Sequence, residues 1–569
     1  MPSGRPEWKR GRQTFSIDAP VGPGAKQTPH PVSPFSGKRR ESKRLLFDWR
    51  RVLVYTHRWL GIAGGVLFII WFASGIVMMY ARMPRLTPEE RLLRLPPLDL
   101  AAARVAPAEA ARASGVSVER VRIGMLRGRP VYRFFDGRRW TTVFADNAER
   151  LEHLTASDAV SLVTSFLPEH ASTIRHHAYL TDSDQWTFSV RALMPVHRVA
   201  AGDAADTYVY VSEQTGEAVM KTTRSERSWG YLGAVLHWIY FTPFRRHATL
   251  WAQSIIWLSI AGCVMCLSGL AWGIWRYSRS RRYRLKHVHS HSPYAGLMKW
   301  HHYAGLIFGL ATFTWILSGL LSMDPWNWHP GTAPTDEQQN AVSGGPLRLD
   351  LLPLDRIREG VAAVGSSFTP KELDVVQLQG EPFLVAYRAP WPPGADRWPD
   401  EPLEFLSPAL ALEHRLVSAV TPDRGAFARF DDGAMFAAAR AAMPGATVAD
   451  AEWLQEYDAY YYDRYGARPL PVLRVRFADP QRTWLYLDPQ RGLIALKEER
   501  LSRLNRWLYH GLHSFDFPVL YYRRPLWDII LLALSLGGIV VSASTMLAAW
   551  HRLRRHARHL ARTIRGTAA

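Results

Sequence analysis

Four histidines carry the chemistry this chain could perform, because they stand at matched positions. His57-Arg58-Trp59-Leu60-Gly61, with Trp71 and Ser74-Gly75, corresponds to His301-His302-Tyr303-Ala304-Gly305, with Trp315 and Ser318-Gly319, at an offset of 244. At an offset of 276, TYVYVSEQTG (207–216) followed by His237 and an apolar span from Trp251 corresponds to TWLYLDPQRG (483–492) followed by His513 and a span from Trp527. Each of the four stands where the chain meets an apolar stretch. An imidazole at such a boundary can bond water or a lipid headgroup, or it can ligate a metal. A single boundary histidine most often does the former, and recurrence at two equivalent pairs of positions shifts the reading towards ligation. One turn beyond His57 and His301 stand Gly61 and Gly305, where the missing side chain lets another group or helix approach the backbone.

Other residues compete for attention. His510 lies one turn from His513, but its matched position is Ala234; His302 matches Arg58. Either is a substitute ligand of lower standing. His287, His289 and His291 form a short tract that reads as a solvated loop before a metal site. Cys263 and Cys266, the only cysteines, correspond to Ile539 and Ser542 inside an apolar span and read as small packing residues. Trp71 and Trp315 sit mid-span, suited to packing against a bound group or to relaying electrons. Tyr457, Tyr460, Tyr461, Tyr462 and Tyr465, interleaved with Glu456, Asp458 and Asp463, offer either a chelate-binding surface or a partly buried aromatic face. No GxGxxG after a strand, P-loop or HExxH is present, so electrons or energy must come from elsewhere.

Four uncharged stretches, 59–81, 248–275, 303–323 and 529–550, are each long enough to cross about 30 Å of hydrocarbon. The mean hydropathy of -0.14 nevertheless requires most of the 569 residues to lie outside it. The net charge of +20 invites a nucleic-acid reading, which its placement excludes. Seven Lys/Arg precede the first span from Lys38 to Arg51, seven and no acid fill 276–302, and six Arg follow Trp550. That bias predicts cytoplasmic termini and central loop in a bacterial inner membrane. The first span is expected to serve as an uncleaved anchor.

The expected order is a basic disordered tail (1–44), the first transmembrane helix (45–82), a periplasmic ectodomain (83–228), and an interfacial helix with the second transmembrane helix (229–276). A basic cytoplasmic loop (277–300), the third transmembrane helix (301–324), a second ectodomain (325–502), an interfacial helix with the fourth transmembrane helix (503–552), and a basic tail (553–569) follow. Within the ectodomains, periodicity predicts helices over 100–114, 157–167, 355–364 and 434–443. Strands are expected over 129–135, 139–145, 185–192, 207–212, 381–388, 473–478 and 483–488. Each ectodomain thus reads as two α+β units of one helix on an antiparallel sheet, with a Pro-rich loop at 389–402 in the second. The fold class is membrane α-helical: a four-helix transmembrane core from two tandem repeats of two helices each, with two periplasmic α+β ectodomains.

The strand ending in a Gly turn, followed by a Trp-rich helix carrying a histidine (WGYLGAVLHW, NRWLYHGLH), resembles a PepSY domain leading into its associated transmembrane helix. HRWLGIAGG and HHYAGLIFG resemble the same family, which the likeness covers over about 44–555. The resemblance implies PepSY-like ectodomains and, through the di-haem ferrisiderophore reductases of that family, two b-type haems and transmembrane electron transfer. Repeats running in one direction are related by an axis along the membrane normal. An iron on that axis takes two opposed axial ligands, which a symmetric pair supplies: His57 with His301, and His237 with His513. The expectation is a haem-dependent reductase taking electrons from quinol or a cytoplasmic flavoprotein docked on 276–286 to a periplasmic acceptor. By resemblance alone that acceptor is a ferric siderophore or other metal chelate. PepSY modules also occur in peptidase propeptides, so the alternative is a non-catalytic membrane anchor that inhibits or regulates an extracytoplasmic peptidase.

Overall fold

The computed structural model describes residues 48–285, 288–388, 412–463 and 468–566, with side chains to 559. The tail 1–44, the Pro-rich loop 389–402, His287 and Tyr465 lie outside the described residues. Among the described residues four helices are long and apolar enough to cross a membrane: Trp49–Met78, Ala248–Arg276, Leu297–Leu321 and the run Leu526–His559. They are called here the first to fourth spans. The fourth is Leu526–Ala543 followed by Met546–Gly566, with only Ser544 and Thr545 in turn geometry between them. The expected polar tail therefore begins as helix, because its Ala-, Leu- and Arg-rich composition favours that state.

Small residues let the spans close on one another. A Cβ on Gly262 of the second span would lie 3.0 Å from Ile316 of the third, and one on Gly538 of the fourth would lie 2.4 Å from Phe72 of the first. These two contacts match at the offsets found in the sequence. The resulting core of Phe68, Phe72, Cys263, Cys266 and Ile316, flanked by Trp71, Phe313 and Trp315, is apolar throughout. Cys263 and Cys266 are buried free thiols within it, in keeping with packing.

The chain between the first and second spans, and that between the third and fourth, folds as helices on antiparallel sheets. In the first of these, β1 (Arg120–Leu126), β2 (Arg129–Phe135) and β3 (Trp140–Phe144) precede β4 (Arg175–Leu180), β5 (Val196–Ala200), β6 (Tyr208–Ser212) and β7 (Ala218–Thr222). A basic hairpin, β8 (Tyr283–Leu285) and β9 (Val288–Ser290), occupies the central loop. In the second, β10 (Glu372–Leu378), β11 (Glu381–Arg388) and β12 (Glu413–Ser418) precede β13 (Val448–Leu454), β14 (Val472–Phe477), β15 (Trp484–Asp488) and β16 (Leu493–Glu498).

The hairpins β1–β2 and β10–β11 share one device. Arg127-Gly128 and Gln379-Gly380 each place two consecutive residues at positive φ, 52° and 73° in the first and 51° and 85° in the second. Two-residue turns of that hand match the twist of the flanking strands, and glycine accepts the second position without strain.

The two segments between spans are not independent. β1 pairs antiparallel with β10, in register Val121↔Val375, Arg122↔Asp374 and Ile123↔Leu373. One six-stranded sheet, β12-β11-β10-β1-β2-β3, therefore joins both and sets them on the same side of the spans. Beneath the junction lies a buried ionic network. Arg91 bridges Glu372 (2.6 Å) and Glu217 (3.4 Å), Arg122 meets Asp374 (2.7 Å), and Arg133 meets Glu217 (3.0 Å).

Two expected elements shift. The helix expected over 100–114 is confined to Pro107–Ser114, since the residue before a proline is driven out of the helical region and Ala106 is extended. The strand expected over 185–192 is instead a turn and the 3₁₀ helix Phe188–Leu193. The Asp184 carboxylate accepts from the amides of Trp186 and Thr187, a local alternative to ladder bonding.

Candidate functional site

The first and third spans carry His57 and His301 at corresponding turns, and the structure brings the two imidazoles to a ring-centre separation of 6.1 Å. His237 and His513 also stand 6.1 Å apart, with ring planes at 78°. Both expected pairs are thus formed.

The elements that deliver the second pair share an unusual geometry. Arg224–Gly230 and Arg500–Arg506 begin as α-helix, widen to a π-turn at Tyr231–Val235 and Trp507–Gly511, and resume at Leu236–Trp238 and Leu512–Ser514. Each then stops on a non-glycine residue in the left-handed region, Ile239 (φ 54°) and Phe515 (φ 52°). Such conformations cost on the order of 1–3 kcal/mol and cluster at functional positions, as π-turns do. Residue spacing carries no sign of either, because a one-residue widening leaves composition unchanged.

The hydrogen-bond partners of the four rings correspond across the two offsets. His57 Nδ1 lies 2.9 Å from the Met265 carbonyl oxygen of the second span, and His301 Nδ1 lies 3.0 Å from that of Val541 in the fourth. His237 Nδ1 sits 3.1 Å from both the Trp71 carbonyl and the Ser74 hydroxyl; His513 Nδ1 sits 2.9 Å from the Ser318 hydroxyl. With Nδ1–H donating to these oxygens, Nε2 carries the free lone pair. Burial first, and then the neighbouring His513, pushes His237 down to about 4, which keeps it neutral. Burial lowers His513 as well.

Room for the rings is provided by glycine. A Cβ on Gly269 would lie 2.3 Å from His57 Cε1, and one on Gly75 would lie 3.4 Å from His237 Cε1. Gly61 would meet only Met265 Sδ, at 3.9 Å, and Gly305 nothing within 4 Å, so both leave open space one turn from the first pair. Ser74, Ser318 and Gly75 were visible as recurring letters; Gly269 was not, since its matched residue is Thr545.

A haem fits this donor set. Metal–imidazole bonds run about 2.0–2.1 Å, so two imidazoles opposed across one ion have ring centres a little over 6 Å apart. Among the described residues no group of three or more His, Cys, Asp or Glu is arranged around a bare ion. Two opposed imidazoles suit a metal that brings its remaining ligands with it, as a porphyrin iron does.

Several of the other candidates have partners of their own. His302 is held at both nitrogens, by Ser292 Oγ and the Gly273 carbonyl, each at 2.8 Å. His510 is partly buried beside Tyr509 and pushed down to about 4 by desolvation and then by Arg506. His291 bonds the Ser278 carbonyl and accepts from Arg281. Tyr461 donates to the Pro469 carbonyl and stacks on Tyr486, Tyr457 donates to the Arg468 carbonyl, and Asp458 binds Arg474. Tyr457 and Tyr461 therefore pack inward. Trp71 and Trp315 lie in the apolar core, and each leaves a buried indole N–H without an acceptor.

The family described as the PepSY-associated TM region matches residues 54–552. No curated protein matches the chain.

Proposed function

The chain belongs to the PepSY-associated transmembrane family, and on that premise we propose that it is a di-haem electron-transfer protein of the bacterial inner membrane. Two b-type haems are held by His57 with His301 and by His237 with His513. The observation that carries this reading is the matched pair geometry: two couples of imidazoles at 6.1 Å, with Nδ1 tied to a backbone or hydroxyl oxygen at all four.

Haem bound at each pair supplies a one-electron carrier. The chain's own residues do the rest. The carbonyls of Met265, Val541 and Trp71 and the hydroxyls of Ser74 and Ser318 fix ring orientation and tautomer. Phe68, Phe72 and Ile316 exclude water between the pairs. The fourteen residues from His57 to Trp71 amount to about 21 Å of helical rise, so the pairs serve opposite sides of the hydrocarbon. Correspondence of sequence, hydrogen bonds and π-turns at two offsets supports a tandem duplication of a two-span unit.

Donor and acceptor follow from placement. The basic residues of 276–302 and those after Trp550 argue for a cytoplasmic face near His57 and His301, where quinol or a flavoprotein delivers electrons. The ectodomains then lie in the periplasm, and a ferric siderophore or similar chelate, too polar for hydrocarbon, is reduced beneath them. A reduced-minus-oxidised absorbance spectrum of purified protein, expressed with ample haem, tests the reading. Two low-spin b-type components are expected; a spectrum without haem would make peptidase regulation the better account.

A further inference from the structure

Beside the His57/His301 pair, three arginines from two spans converge with no acid among them. The fourth span continues past its turn at Ser544-Thr545 and packs back along the first. Met546 Cε lies where a Cβ on Gly65 would be 2.4 Å away, and the His556 ring lies tilted against Trp59 with ring centres 5.5 Å apart. That packing sets Arg58, beside Trp59 on the first span, against the turn of the fourth that carries Arg552, Arg555 and His556. Arg58 lies over the Tyr55 ring at 5.2 Å, and Arg555 reaches only the His551 carbonyl at 3.4 Å. Among the described residues no carboxylate pairs with Arg58, Arg552 or Arg555. Beyond Asp528 the sequence holds no acidic residue at all.

Helices do not gather like charges without compensation. Repulsion among cations is destabilising, and it grows where apolar neighbours lower the local dielectric. The surrounding side chains say where compensation comes from. Trp59, Trp550 and Leu553 are exposed around the cluster, as expected of a belt at a bilayer interface, where aromatic rings sit at headgroup level. Arginine's planar fork is suited to phosphate oxygens.

We propose that Arg58 and Arg552, with Arg555 at the rim, form a binding site for the phosphate of an anionic phospholipid headgroup. The site clamps the extension of the fourth span against the first, next to the His57/His301 pair. The occupant is a membrane lipid because the cluster stands on two spans, within the aromatic belt and within one turn of His57. A soluble phosphate compound would have to displace headgroups to reach it. The inference needs only the membrane placement of the spans and is independent of what the histidines hold.

The test uses the full chain in nanodiscs of pure phosphatidylcholine and of phosphatidylcholine mixed with phosphatidylglycerol. Readouts are the lipids retained in native mass spectra and the thermal midpoint. Each basic residue near an anionic surface is worth about a fivefold change in binding, so Arg58→Gln with Arg552→Gln should lower retention of phosphatidylglycerol by on the order of twentyfold. Wild-type protein should melt higher with phosphatidylglycerol present, and the double variant should lose that gain. In pure phosphatidylcholine the variant should melt no lower than wild type, because it no longer carries the repulsion. A control pair in the basic hairpin, Arg282→Gln with Arg284→Gln, should retain the lipid. Equal retention by wild type and the Arg58/Arg552 variant, or equal loss in the control, overturns the site. So does inorganic phosphate reproducing the stabilisation in phosphatidylcholine discs.

Discussion

His57 Nδ1 meets the carbonyl oxygen of Met265 across the first two spans at 2.9 Å, and the same bond recurs between His301 and Val541 at 3.0 Å. A backbone carbonyl cannot be mutated away, so ring orientation is fixed by helix packing. Altering the ligands and altering the packing should therefore give separable phenotypes.

Replacing the four histidines should sort them into two classes. His57→Ala and His301→Ala are expected to abolish the same low-spin haem signal and leave the other, while His237→Ala and His513→Ala abolish the second. An iron deprived of one axial imidazole changes spin state or is lost. Electron paramagnetic resonance of the four single variants checks this; different signals lost in His57→Ala and His301→Ala would refute a shared iron.

Gly269→Ala tests the packing. Its methyl would stand 2.3 Å from His57 Cε1, so the ring must leave the Met265 carbonyl. Overpacking of this kind costs about 1–3 kcal/mol. The expected result is a weakened or shifted signal for the His57/His301 haem alone, with the His237/His513 signal unchanged in the same sample.

The ectodomain junction should be sensitive to a single charge. Glu372 is 1 % exposed and accepts from Arg91 at 2.6 Å. Removing it takes one carboxylate from a buried network in which Arg91 keeps Glu217 and Arg122 keeps Asp374, at a cost below that of a buried pair broken outright, about 3–5 kcal/mol. Glu372→Ala should lower the thermal midpoint and speed amide exchange in β1 and β10 while leaving the haem spectra intact. Unchanged exchange there would show that the network does not hold the two ectodomains together.

Glu498 gives the chain a pH-dependent stability. Desolvation raises its pKa from 4.5 to about 7, against the pull of the Ser502 hydroxyl and of Arg503. The folded state thus binds a proton that the unfolded state has released. Its contribution is neutral below about pH 4.5, becomes increasingly unfavourable as pH rises to about 7 and levels off above that, at on the order of 3 kcal/mol. Glu498→Gln should raise the melting temperature at pH 8 more than at pH 5. An equal effect at both would exclude the buried titration.

Reporter fusions check the membrane placement. A periplasm-dependent reporter after Gly344 should be active, and one after Arg284 should be inactive. Activity at Arg284 would invert the topology and, with it, the side of the membrane proposed for the acceptor.

The sequence by itself determined which histidines to pair and how many spans carry them. Apolar run length and repeated letters are local properties that survive without coordinates. It also placed most ectodomain elements, because helical and alternating periodicity record burial on one face. Tertiary structure alone decided the rest. Whether His57 faces His301 at 6.1 Å depends on the crossing of spans 244 residues apart, and nothing in either span encodes that distance. The fusion of β1 to β10 is likewise a pairing between two edges, each complete as a local hairpin, so no periodicity could announce it. The π-turns before His237 and His513 change backbone geometry without changing residue pattern. The roles of Gly269 and Arg552 arise from neighbours on other helices, since a side chain's chemistry is set by what packs against it.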